Sequence, residues 1–95
     1  MVSFVVRFTF APDDRVEVAD ALRPLTIASR QEEGCVSYIP HHVDGDPDTI
    51  VIYEQYRDEA ALAAHRASAH FKKYAVEGIF QKMKNRDLEN LIALD

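Results

Sequence analysis

Tryptophan is absent from this chain, cysteine occurs once, and glycine only three times in 95 residues. A lone cysteine, Cys35, excludes an internal disulfide and any zinc motif built on cysteine pairs. Gly34, Gly45 and Gly78 stand apart, so no glycine-rich loop is available to cradle a phosphate. No serine sits in the strand–turn–helix elbow from which Ser-His-Asp hydrolysis starts. Long apolar runs are missing too. Runs such as Phe4 to Val6 and Ile50 to Tyr53 fall far short of the roughly 20 residues of a membrane span. Positive charge is scarce, with 11 Lys and Arg against 16 Asp and Glu for a net charge of −5. Without a basic cluster, neither nucleic acid nor an anionic membrane is an expected partner. The start, MVSFVVRF, lacks the basic, apolar and small-residue succession of a signal peptide, so a reduced, cytoplasmic protein is expected.

What is present is enough for one domain over residues 1–95, with 47% hydrophobic residues to build a core. A monomer of this size buries only about 60–65% of its unfolded surface, so a partner subunit would help it. Val2 to Phe10 place Phe4, Val6, Phe8 and Phe10 on one parity and Arg7 and Thr9 on the other, the signature of a strand with one apolar face. Asp13 or Asp14 is positioned to cap a helix running from about Arg15 to Glu32, with its stripe at Val18, Leu22, Leu25 and Ser29. Pro24 should kink or split that helix, and Gly34 suits the left-handed residue that closes it. Cys35 to Val43 and Thr49 to Tyr56 read as strands joined by the loop DGDPD. Asp58 is expected to cap a short helix ending at Arg66. Ser68 should cap a longer one to about Met83, whose stripe is Phe71, Tyr74, Ala75, Ile79 and Met83. Leu88 to Leu94 reads as a last strand. The order β-α-β-β-α-β is that of an α+β, ferredoxin-like split β-α-β antiparallel sheet. Helices on one face leave the other uncovered. Because both parities of Thr49 to Tyr56 are apolar or aromatic, that second face is expected to pack sheet to sheet in a homodimer, a dimeric α+β barrel.

Side chains able to do chemistry gather in the middle of the chain. His65 follows Leu62 by three and so faces the sheet, either as a satisfied core group or as a proton-transfer group near neutral pH. Glu54 shares parity with Ile50, Ile52 and Tyr56, and a buried carboxylate must be paired or protonated. Arg7 and Arg57 are candidate partners, and orienting His65 is the alternative. His41 and His42 are adjacent in a strand and point to opposite faces, so only one of them can line a given cavity. His65, His70 and Glu54 could hold a metal, but no compact ligand motif supports one, and no metal is expected. Cys35 reads as a small buried residue rather than a nucleophile.

The strings EEGC (Glu32 to Cys35), TIVIYEQY (Thr49 to Tyr56) and LAAHRASAHF (Leu62 to Phe71), with Tyr38 between the first two, resemble the antibiotic biosynthesis monooxygenase family. Within it, the likeness is to the small bacterial quinol monooxygenase-like proteins. The matching positions are Glu32 or Glu33, Gly34, Cys35, Tyr38, Tyr53, Glu54, Tyr56, His65, Ser68, His70 and Phe71. Tyr56 stands where the family commonly has tryptophan. Haem-degrading relatives use a tryptophan and an early asparagine. This chain has no tryptophan and its first asparagine is Asn85, which sets haem degradation aside.

The resemblance implies a cofactor-free reaction between O2 and a small aromatic substrate. A quinol or phenol, once deprotonated, can hand an electron to O2 directly. The protein then has to remove a proton, hold the ring and exclude water. In that reading His65 is the base, with Glu54 or Tyr53 as its orienter. Tyr38, Tyr56 and Phe71 are walls, and His41 or His70 is a second proton handler. Two rivals stand beside it: an isomerase of a small phosphosugar-derived compound, and a non-catalytic dimeric binding domain. An aromatic pocket with a buried histidine favours oxygenation, an arginine-lined one the isomerase, and a collapsed cavity neither enzyme.

Overall fold

A computed structural model describes residues 1–94. The alternation of the first strand is realised in β1 (Val2–Thr9), whose Phe4, Val6 and Phe8 are buried while Arg7 is exposed. α1 (Arg15–Arg30) buries Val18, Leu22, Leu25 and Ser29 on its expected stripe. β2 (Cys35–Val43) and β3 (Asp46–Tyr56) form a hairpin, α2 (Glu59–Arg66) follows, and β4 (Asn85–Leu91) ends the sheet. Between α2 and β4 a π-helical segment (Phe71–Ile79) runs into a short α-helical turn (Phe80–Lys82), together called α3. The four strands lie in the order β2-β3-β1-β4 with every neighbouring pair antiparallel. This is the α+β, ferredoxin-like sheet expected from the order of elements.

Register brings the core together. Phe4 stands opposite Glu54, Val6 opposite Ile52 and Phe8 opposite Ile50, all on the helix-covered face. On the other side of β3, Tyr38 also stands opposite Glu54, so Phe4, Glu54 and Tyr38 form one row across the sheet. Asp58 caps α2 as expected, its carboxylate accepting from the Ala61 N–H at 2.8 Å. Ser68 Oγ accepts from the Phe71 N–H at 3.2 Å and donates to the His65 carbonyl at 2.7 Å, locking the turn between α2 and α3.

Several local expectations are corrected. Neither Asp13 nor Asp14 caps α1 through its side chain; a 3₁₀ turn, Pro12–Asp14, leads in instead. α1 is not split by Pro24 but runs on as one helix to Arg30. Gly34 is not left-handed; among the described residues positive φ falls at Gly45 (79°), in the two-residue turn Asp44-Gly45 that lets β3 start at Asp46 rather than Thr49. Gly34 is needed for space: a Cβ there would sit 2.3 Å from Ala61 Cβ, and its carbonyl accepts from the Arg57 N–H at 2.8 Å. β4 begins three residues earlier than its apolar run and ends before Ile92 and Leu94, which are exposed. It is an edge strand whose residues are mostly exposed, so its polar side chains concealed its start.

Candidate active site

Three segments place the site. The connection after α1 supplies Glu32, the last turn of α2 supplies His65, and the entry to α3 supplies His70. His65 is 2% exposed, and its Nδ1–H donates to Glu32 Oε2 at 2.8 Å. His70 Nε2–H donates to the same oxygen. Because a carboxylate only accepts, this bond puts the His65 proton on Nδ1 and leaves a lone pair on Nε2. That nitrogen is turned toward Glu54, whose Oε1 lies 3.8 Å away, beyond hydrogen-bond distance. Glu54 is held instead by the Tyr56 hydroxyl, which donates to Oε1 at 2.6 Å. A chain of groups, Tyr56–Glu54–His65–Glu32–His70, thus runs from the sheet toward the surface, where the His70 side chain is 22% exposed.

Aromatic rings enclose His65. Tyr56 and Phe71 lie 5.1 Å from it by ring centroids, Phe71 edge-on, and Tyr38 lies at 5.9 Å. Beside them is a cavity of about 50 Å³ bordered by Glu54, His65, Arg66, Phe71, Phe80 and Arg86. Low polarity here moves proton affinities. Burial holds His65 below the ordinary histidine range, partly offset by its bond to Glu32. Burial pushes Glu54 up to about 7, against the opposing effect of the Tyr56 hydroxyl. The Tyr38 and Tyr56 phenols are raised, first by burial, and the Cys35 thiol is pushed up to about 11 for the same reason. Cys35 is thus a protonated, half-buried thiol rather than a nucleophile.

Of the residues singled out from the sequence, Tyr38, Glu54, Tyr56, His65, His70 and Phe71 are brought together. Tyr53 is not. It alternates with Glu54, pairs with Val5 and Ile39, and faces the opposite side of the sheet, so it does not orient His65. His41 is also elsewhere: exposed, opposite Val51, it borders a separate groove of about 710 Å³ between α1 and the β2–β3 hairpin. His42 borders the same groove, which corrects the expectation that only one of the two could line a given cavity. The arginine partners considered for Glu54 are not used. Arg7 is exposed on the opposite parity, and Arg57 pairs with Glu33 (3.7 Å) and Asp58 (3.6 Å). The residue that reading the chemistry missed is Glu32, which in place of Glu54 joins the two histidines. Its only signal was the EEGC string, which left Glu32 and Glu33 undivided.

The fold and site define an α+β protein with a buried histidine, two flanking carboxylates and aromatic walls on the helix side of a ferredoxin-like sheet. The sequence profile described as "Antibiotic biosynthesis monooxygenase" matches residues 1–77, and the chain belongs to that family. It is 33% identical over 76 residues to "Putative monooxygenase Rv0793" of Mycobacterium tuberculosis, covering 80% of this chain and 74% of that one. It is 34% identical over 67 residues to "Putative monooxygenase YcnE" of Bacillus subtilis, covering 70% of each. The crystal structure of PA3566 from Pseudomonas aeruginosa superimposes with a TM-score of 0.90 at 30% identity, covering 99% of this chain and 94% of that one.

Proposed function

We propose that this protein is a cofactor-independent monooxygenase that oxidises a quinol- or phenol-like aromatic with O2, using His65 as the base. The observation that carries this is the His65 ring itself: buried, held neutral, bordering an aromatic-walled cavity with its Nε2 toward Glu54 while Glu32 grips Nδ1. Nε2 takes the phenolic proton, and the resulting anion gives one electron to O2. The positive charge that forms on the imidazole is met by Glu32 on one side and Glu54 on the other. Glu32, not Tyr53, is the orienting group. Tyr38, Tyr56 and Phe71 wall the ring, and His70 shares the Glu32 carboxylate as the second proton handler.

A cavity of about 50 Å³ holds a few waters, whereas a protein cavity that takes up benzene measures roughly 150 Å³. A ring-sized substrate therefore enters only when the rim moves. The rim is Phe80, packed edge-on to Phe71 at 5.7 Å and covered by Arg86, on the segment that follows the π-helical turns. Such turns accompany functional sites. A second reading has one observation in its favour: Arg66 and Arg86 border the same cavity and suit an anionic carbonyl substrate of an isomerase.

The uncovered sheet face, with Val5, Val51, Tyr53 and the 42%-exposed Ile39, is the surface for a second copy of this chain, closing a dimeric α+β barrel. Tyr53→Arg should halve the mass seen by sedimentation to that of the 10.8 kDa monomer. A wild type that already sediments as a monomer removes the dimer. Among the described residues no helix is long and apolar enough to cross a membrane, and a reduced cytoplasmic setting fits the single protonated thiol.

The function is tested by O2 uptake of chelator-treated protein over naphthoquinols, anthrones and catechols, corrected for autoxidation. His65→Ala should lose about 10²- to 10⁴-fold. Phe80→Ala should raise the rate on the bulkier members. Uptake equal with and without protein removes the oxygenase reading, and turnover of small anionic carbonyl compounds instead would establish the isomerase.

A further inference from the structure

We propose that Glu32, His65 and His70 bind a divalent transition-metal ion, and that the ion, when bound, disables His65 as a base. Glu32 stands 33 and 38 positions before His65 and His70, and the three converge so that their ligating atoms all lie within 4.8 Å of one another. Both imidazoles point a nitrogen at a single carboxylate oxygen. The second oxygen, Glu32 Oε1, is buried and finds no hydrogen-bond partner among the described residues. An unpaired buried acceptor is costly, and a cation between the three groups would satisfy it.

The surroundings are those of a supported site. The far nitrogen of His65 faces Glu54 at 3.8 Å, and Glu54 is anchored by Tyr56, so a carboxylate backs the coordinating histidine. Ser68 ties the His65 carbonyl to the Phe71 N–H and thereby fixes the segment carrying both histidines. Entry is past the partly exposed His70. Two imidazoles and one carboxylate select zinc, cobalt(II) or iron(II) over magnesium or calcium, which favour all-oxygen sites. Three protein ligands leave an open position for water. Ligand atoms 2.0–2.1 Å from a tetrahedral ion are about 3.3 Å apart, so Glu32 and His65 need to part only slightly from their 2.8 Å contact.

The inhibitory half rests on the oxygenase reading. A metal on Nδ1 of a neutral imidazole leaves the ring proton on Nε2, which can then donate to Glu54 but accept nothing. The test has two arms. In the first, chelator-treated full-length protein is titrated with Co²⁺ and followed by its visible absorption, with Zn²⁺ as competitor. One equivalent should bind. His70→Gln, which keeps a donor to Glu32 but is a poor ligand, should weaken binding about 100-fold, and Glu54→Gln about 10-fold. His42→Ala, an exposed histidine away from the cluster, should change nothing. Glu32→Gln serves as the second ligand variant if His70→Gln loses its circular dichroism. Absence of a Co²⁺ spectrum, or equal affinity in wild type and both ligand variants, overturns the site. In the second arm, O2 uptake should fall along the same Zn²⁺ binding curve and return on chelation. Uptake that is indifferent to a metal shown to bind overturns the inhibition alone. Absence of uptake under any condition overturns the oxygenase reading, and the spectral titration still decides the metal site.

Discussion

Along β3, Ile50, Ile52, Glu54 and Tyr56 point to the helices and are buried, while Val51, Tyr53 and Gln55 alternate with them on the open face and stay partly exposed. The two sets have similar composition: aliphatic residues, a tyrosine, a polar group. Their chemistry differs. Glu54 is pushed up to about 7 by burial, accepts a hydrogen bond from Tyr56 and lies 3.8 Å from His65, which Glu32 joins to His70. Gln55, next to it, donates to Ser3 Oγ at 3.0 Å and does no more than tie β3 to β1. A side chain in this sheet acquires reactivity from the layer that covers it, because burial removes the water that would hold its pKa at the ordinary value.

The widest gap between the faces should appear in stability. Phe8→Ala, on the covered face at 1% exposure, is expected to cost about 3–5 kcal/mol in urea unfolding. Arg7→Ala, one residue away on the open face, should stay within about 0.5 kcal/mol. Comparable losses would erase the distinction.

Next in size is the pH dependence carried by Glu54 and His65, measured on metal-stripped protein. Glu54 has a raised folded pKa, so its contribution is full below its ordinary pKa of 4.5 and is lost as pH rises through about 7. His65 has a lowered one, so the folded state keeps it neutral, and stability falls as pH drops below its ordinary 6.5. Together they oppose one another between pH 5 and 7. Glu54→Gln should remove the alkaline loss, worth up to about 3 kcal/mol, and leave stability rising with pH. An unchanged profile would place Glu54 in a wetter site than its burial implies.

Smaller again is the effect of holding α2 away from the sheet. Gly34→Ala sets a methyl group 2.3 Å from Ala61 Cβ and should cost about 1–3 kcal/mol, with a parallel fall in O2 uptake as His65 is displaced. A stable Gly34→Ala variant would show that α2 can shift freely. The smallest effect is expected on the open face: Tyr53→Phe should leave uptake unchanged and stability within about 0.5 kcal/mol. Lost uptake would bring Tyr53 into the site.

Alternation in β1, the stripe of α1 and the Asp58 and Ser68 caps were all legible, because each is a relation between residues a few positions apart. So was the order of elements, and with it the ferredoxin-like sheet. β4 was misplaced because an edge strand is released from the apolar pattern on which such readings depend. His65 was legible as a buried histidine from its spacing to Leu62. Its true partner was not, since Glu32 reaches it across 33 positions, and an acidic residue in a helix-to-strand turn has the same local signature whether it meets water or a histidine.

Taken alone, the order of residues determined which side chains share a face, since the strand repeat of two and the helix repeat of nearly four are set by backbone geometry. It separated Tyr53 from Glu54 by parity and left open which of them the helices would cover. Packing decided that, and decided as well that Glu32 rather than Glu33 enters the site, that Gly34 serves close approach rather than a left-handed turn, and that the cavity lies on the helix side. These are contacts between segments far apart in the chain, and only the closing of the helices over the sheet brings them within reach of one another.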